Sequence, residues 1–158
     1  MSRESNKQPL VAILMGSISD NKAAEECKRY FDYFNILFEK YVLSAHRNPK
    51  ETAEFAEKAE ENGFKIIIGI AGMAAHLPGV IAAYTKLPVI GVPMPGSHLN
   101  GIDALYSVVQ MPKGVPVATV GIAGAANAAI LCAQILALSD PILKEKLAEF
   151  KNQGCKLF

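Results

Sequence analysis

The stretch "KIIIGIA", residues 65–71, follows one lysine with six uncharged residues, four of them isoleucine. A strand without polar alternation must be covered on both faces, and the arrangement that does this is a parallel sheet between two layers of helices. "PLVAILM" (9–15) and "PVIGVP" (88–93) have the same character, and "NILFEKYVL" (35–43) and "VPVATVGI" (115–122) complete five strand candidates. Between them lie segments of helical spacing. In residues 17–34 the apolar side chains Ala23, Ala24, Cys27, Tyr30, Phe31 and Phe34 recur at helical intervals. In residues 48–63 Asn48 is placed to cap a helix, Pro49 to open it, Glu51 to complete a capping box and Gly63 to stop it. Helices are also expected over 77–85, 104–111, 123–138 and 140–154. The predicted fold is α/β, a three-layer α/β/α sandwich with a flavodoxin-like, five-stranded parallel sheet and a C-terminal helix.

At 158 residues and 51% apolar, the chain can bury one substantial core, so residues 10–158 are expected to form a single domain behind a disordered tail, 1–9. That tail lacks the apolar segment of a secretory signal. Sixteen basic and fifteen acidic residues, without a basic cluster, point away from nucleic acid and from an anionic membrane surface. The charge-free run 115–139 is interrupted by Pro116, Gly121, Gly124, Asn127 and Gln134, which reads as a buried strand and helix rather than a membrane span. Cys27, Cys132 and Cys155 have no pairing or zinc-finger spacing and are read as free thiols in a reducing cytoplasm.

Right-handed crossovers place every strand-to-helix loop at one edge of such a sheet, and with strand order 2-1-3-4-5 the first three loops become neighbours. "GSISD" (16–20) offers Gly16, the hydroxyls of Ser17 and Ser19, and amides at a helix start, a combination suited to phosphate. Asp20, an acceptor, suits a sugar hydroxyl, although Ser19 or Asp20 could equally be a plain helix cap. In "SAHRNP", Ser44 can donate into the pocket, His46 can give and take a proton, and Arg47 can close on the phosphate. "AGMAAHLPG" (71–79) supplies backbone amides for a carboxylate, with Ala74, Ala75 and Leu77 as a dry wall and His76 as a substrate or loop contact. The loop with His98, Asn100 and Asp103 reads as a lid or as a source of contacts. The helix at 123–138 is apolar almost all round, which predicts a homo-oligomer.

Taken together, "MGSISD", "SAHRNP", "AGMAAHLPG", "LNGIDALYSVVQMPKGVPVATV" and "AGAANAA" resemble the bacterial class I N5-carboxyaminoimidazole ribonucleotide mutases of purine synthesis. The resemblance runs from about residue 10 to residue 150. It implies an octamer, no metal or organic cofactor, and transfer of a carboxyl group from the exocyclic nitrogen of the aminoimidazole ribonucleotide to ring carbon 4. It also implies roles by motif: His46 as general acid and base, Ser17, Asp20 and Arg47 on the nucleotide with Ser19 close by, and Ser44, Gly72, Ala74, His76 and Leu77 around the carboxylate. Class II relatives, which use free carbon dioxide, usually have lysine after the histidine and lack "AAHLPG", so "SAHR" with "AAHLPG" favours the mutase. Met73 departs from the family's usual glycine and would narrow the pocket, or strain the loop if a positive φ is required. The connection "VGIAGAAN" is shorter than in many relatives, and the C-terminal tail stops early, at Phe158. Three other readings compete: a class II-like carboxylase, a non-catalytic nucleotide-binding module, and a zinc hydrolase built from His46, His76, His98 and Asp103 without HxH or HExxH pairing.

Overall fold

A computed structural model describes residues 8–158; the expected tail therefore lies largely outside the described residues, with only Gln8 and Pro9 inside them. Five parallel strands, β1 (Val11–Met15), β2 (Phe38–Val42), β3 (Ile66–Gly72), β4 (Val89–Met94) and β5 (Ala118–Thr119), form one sheet in the order β2-β1-β3-β4-β5. Six helices connect or follow them: α1 (Asn21–Phe34), α2 (Pro49–Lys58), α3 (Leu77–Tyr84), α4 (Ile102–Val109), α5 (Ala125–Leu136) and α6 (Pro141–Asn152). This is the expected flavodoxin-like arrangement of three layers.

The two faces of the sheet generate two cores. Val11, Ile13, Met15, Ile66, Ile68, Ile70, Ile90 and Val92 face α1, α5 and α6, where Phe31, Phe34, Cys132 and Phe150 pack. Ala12, Leu14, Ile67 and Ala71 face the other way, toward Ala56, Leu77, Ile81, Ala104 and Val108 of α2, α3 and α4. Strand side chains alternate between faces, so wholly apolar β1 is buried throughout and β3 up to Gly72 at its end, while β2, at the sheet edge, carries exposed Glu39 and Lys40. No helix among the described residues is long and apolar enough to cross a membrane. On α5 the buried residues are mostly alanines, and Asn127 and Gln134 share the exposed face as their seven-residue spacing requires.

Two local expectations are corrected. Of "VPVATVGI" only Ala118–Thr119 joins the ladder, opposite Ile90 and Gly91, because Pro116 has no amide to donate and the chain leaves the sheet after the Val120 amide reaches the Gly91 carbonyl. The capping box at α2 does not form either. Pro49 opens the helix as expected, but the Asn48 side chain turns back to accept from the Ser44 amide at 3.3 Å and makes no cap bond into α2.

At Gly91 an added Cβ would lie 2.3 Å from Val108 Cγ1 and 3.0 Å from Val117 Cγ1, whereas at Gly121 nothing stands within 4 Å. Gly91→Ala is therefore expected to destabilise the protein by about 1–3 kcal/mol through overpacking of β4 against α4. Gly121→Ala should change stability by less than about 0.5 kcal/mol. Urea unfolding of the two variants checks both values.

Candidate active site

Pairing of β1 with both β2 and β3 brings the loops that follow these strands side by side. They enclose a cleft of about 450 Å³ lined by Gly16, Ser17, Ser19, Asp20, Ser44, Ala45, His46, Arg47, Ala71, Gly72, Met73, Ala74, His76, Leu77, Pro95 and Gly96. The ten residues to which the family resemblance gives a role all line this one cavity, whereas Ala75, expected in its dry wall, does not. Pro95 and Gly96, which extend the wall from the end of β4, belong to the loop expected as a lid or a source of contacts, but its His98, Asn100 and Asp103 do not line the cleft.

The loop after β1 closes on itself. Ser17 accepts from the Ser19 amide at 3.3 Å, and Asp20 Oδ2 accepts from the Ser17 amide at 3.1 Å, a reciprocal capping box around the single 3₁₀ turn Ile18–Asp20. Ser17 thus caps the 3₁₀ turn, while Asp20 stands at the N-cap of α1 without a side-chain bond into that helix. The amides of Gly16 and Asp20 are also engaged, by Ile70 and Ser17 carbonyls. An anion in this loop would consequently meet hydroxyl groups more than free amides. Asp20 is buried, and loss of solvent holds its carboxyl above the ordinary aspartate value of 3.8, partly offset by the bond from the Ser17 amide.

The loop after β2 is a helical turn locked from below. The Asn48 amide donates to the Ser44 carbonyl at 2.8 Å, the Arg47 amide to Ser44 Oγ at 3.2 Å, and buried Thr52 donates its hydroxyl to the Asn48 carbonyl at 2.8 Å. His46 and Arg47 ride on the crest of that turn. Arg47 has no ion pair among the described residues, so its full charge faces the cleft. Ser44 Oγ accepts from Arg47 and keeps its own proton free to donate.

The loop after β3 descends to α3, which begins at Leu77 with Pro78 in its first turn. Ala75 and Leu77 are buried beneath it, and the amides of Ala74 and Ala75 have no backbone acceptor among the described residues. Met73 has a φ of +54°, a left-handed conformation that costs an ordinary side chain roughly 1–2 kcal/mol. The strain anticipated for a non-glycine residue here is real.

Between the second and third loops, His46 Nε2 lies 2.7 Å from His76 Nδ1, the rings nearly perpendicular at 83°. One nitrogen donates and the other accepts, and the bond survives one additional proton on the pair but not two. The four-residue zinc constellation does not assemble: His98 is outside the cleft, Asp103 accepts from Ser97 at 2.8 Å, and no group of three metal-ligating side chains occurs among the described residues. Cys27 and Cys132 are buried in the core between α1, α5 and one face of the sheet, and burial, reinforced by Glu26, pushes the Cys27 thiol up to about 12.

Because the folded-state pKa of Asp20 is raised, the folded protein binds its proton more tightly than the unfolded chain. That group's contribution to stability therefore falls as pH rises through and above 3.8. Asp20→Asn keeps an oxygen for the Ser17 amide but cannot ionise. Its stability relative to the parent is expected to increase from pH 3 toward neutrality, measured by urea unfolding across that range; a constant difference would contradict the buried-carboxylate account.

The profile of the AIR carboxylase family matches residues 10–156. Among curated proteins, the N5-carboxyaminoimidazole ribonucleotide mutase of Bacillus subtilis is 55% identical over 144 residues, covering 90% of this chain and 89% of that protein. The mutase of Escherichia coli is 51% identical over 149 residues, covering 93% and 88%. The crystal structure of Treponema denticola PurE superposes with a TM-score of 0.84 at 30% identity, over 94% of this chain and 92% of that one. A match that spans both cores and all three loops of the cleft establishes that the chain belongs to the AIR carboxylase family.

Proposed function

We propose that this chain is an N5-carboxyaminoimidazole ribonucleotide mutase, an isomerase of purine synthesis acting on a small ribonucleotide, with the cleft at the β1–β3 edge as its active site. The observation that carries this reading is the placement of His46, paired to His76 and adjacent to Arg47, between a hydroxyl-bearing loop and a turn with open amides. The Escherichia coli and Bacillus subtilis proteins named for this activity are 51% and 55% identical to the chain.

On this reading Ser17, Ser19 and Arg47 hold the phosphate, Asp20 accepts from the ribose, and Ser44 with the turn from Gly72 to Leu77, including Ala74 and His76, surrounds the carboxylate. His46 as imidazolium protonates the exocyclic nitrogen while the N–C bond breaks; its electron pair stays on nitrogen and carbon dioxide leaves. The freed amine pushes electron density into the ring, carbon 4 bonds to the carbon dioxide, and the proton on carbon 4 passes to the now neutral His46. Substrate and product are isomers, so protons and electrons balance with no co-reactant. Holding carbon dioxide beside the ring replaces a bimolecular capture with a nearly unimolecular one. His76, by hydrogen bonding to His46, orients the imidazole.

The reading extends to a homo-octamer in a reducing cytoplasm, with residues 10–158 acting as one domain. Exposed Tyr84, Tyr106 and Val109 on α3 and α4 support self-association, and three cysteines without a disulfide support the compartment. Sedimentation equilibrium of the 17.0 kDa chain is expected to give eight subunits, and a monomer would end that part of the proposal.

His46→Asn is expected to lower turnover by roughly 10²–10⁴-fold while nucleotide binding persists, whereas Arg47→Ala raises KM with a smaller effect on kcat. Following a labelled carboxyl group from N5 to carbon 4, with and without bicarbonate, separates the mutase from a carboxylase that uses free carbon dioxide. Retained turnover in the His46 variant would overturn the proposal, and binding without any reaction in the parent would favour a non-catalytic module.

A further inference from the structure

The two imidazoles of the cleft use their ring nitrogens unequally. His46 Nε2 meets His76 Nδ1 at 2.7 Å, while His46 Nδ1 and His76 Nε2 have no hydrogen-bond partner among the described residues. Two lone pairs, or two N–H groups, cannot face each other at that distance, so the contact holds a single hydrogen. Both rings stand on fixed backbone. Ser44, Asn48 and Thr52 lock the turn of His46. His76 donates its amide to the Ala74 carbonyl at 2.8 Å, and its carbonyl accepts from the Val80 amide at 2.9 Å, which ties it on both sides of the start of α3. The contact is therefore set by two rigid loops, and it leaves one nitrogen of His46 open to a ligand.

We propose that His76 is a positioning residue that holds His46 in one tautomer and so makes Nδ1, not Nε2, the nitrogen that gives and takes the proton. The proposal rests on the mutase reading above. An imidazolium at His46 carries hydrogen on both nitrogens, so its Nε2–H donates to His76, which accepts on Nδ1 and keeps its own hydrogen on Nε2. When the Nδ1–H bond of His46 breaks and its proton passes to the exocyclic nitrogen of the substrate, the bonding pair stays on Nδ1 and the Nε2–H remains in place. That pair then takes the proton from carbon 4. Neither step disturbs the bond between the imidazoles, and no ring flip or tautomer change comes between them. Chemistry at Nε2 would instead break the contact in every cycle and leave a nitrogen of His76 unmatched. An acceptor on one imidazole nitrogen thus fixes the other for proton transfer, as a carboxylate does in a hydrolase triad. A second imidazole does so without adding negative charge beside a substrate that already carries a phosphate and a carboxylate.

Two measurements test this assignment. In a crystal structure of the protein with the carbon 4 carboxylated product bound, His46 Nδ1 is expected to lie nearer to carbon 4 than Nε2 does, with the two imidazoles still in hydrogen-bond contact. In steady-state kinetics, His76→Leu, which fills similar space without an acceptor, is expected to lower kcat by roughly 10- to 100-fold through misorientation of His46, with a smaller change in KM. His76→Asn places an amide oxygen close to the position of Nδ1 and is expected to recover most of the lost kcat. A product complex in which the pair has parted and Nε2 faces carbon 4 overturns the choice of nitrogen. A kcat for His76→Leu equal to that of the parent, or for His76→Asn no better than for His76→Leu, overturns the positioning role, and each of these results leaves the mutase reading intact. Absence of carboxyl transfer in the parent itself overturns both.

Discussion

Burial of β1 and β3 on both faces is the constraint from which the rest of the molecule follows. Val11 to Met15 and Ile66 to Ile70 have almost no polar side chain to offer water, so each strand must have helices above and below it. A strand paired in parallel on both sides cannot be reached by a tight hairpin, and each connection has to cross the sheet as a helix. The functional loops consequently leave the same edge. Where β1 separates its two neighbours, crossovers depart to opposite faces and a crevice opens between them. The cleft is thus a by-product of satisfying two hydrophobic cores at once.

Within that crevice the loops divide the work by what their backbones have left unbonded. The first loop has spent most of its amides on its own capping box and on the Ile70 carbonyl, and presents hydroxyls. The second is a rigid turn, bolted by Thr52 and Asn48, whose outward side chains are a base and a cation. The third presents amides and apolar atoms from a strained turn. Phosphate, proton and carboxylate each meet a different kind of surface, and the His46–His76 contact ties the second and third together.

Much of this was legible in the order of residues. Four strands and the helices between them followed from apolar runs and spacing because burial, which decides those elements, is written in hydrophobicity. Convergence of Ser17, His46 and His76 followed from the handedness of crossovers. What escaped was decided by partners distant in sequence or by competition between near neighbours. The short β5 depends on how far β4 can offer carbonyls to it, and Asn48 serves Ser44 rather than its own helix because the preceding turn brings that amide closer. The bond between two imidazoles thirty residues apart has no local signature at all.

The margins of the sheet have a consequence for how copies of this chain can meet. On one side β2 points Glu39 and Lys40 into solvent, with Lys40 tied to Glu25 of α1 and Glu39 to Tyr41. On the other, β5 offers a ladder only two residues long, followed by a chain that bends away through Gly121. The two-residue border offers an incoming strand little to pair with, and the charged side chains of the longer one disfavour pairing there, so lengthening of the sheet by a neighbour is discouraged. Edge-on stacking of copies is thereby disfavoured, and ordered contact between them is directed to helical surfaces.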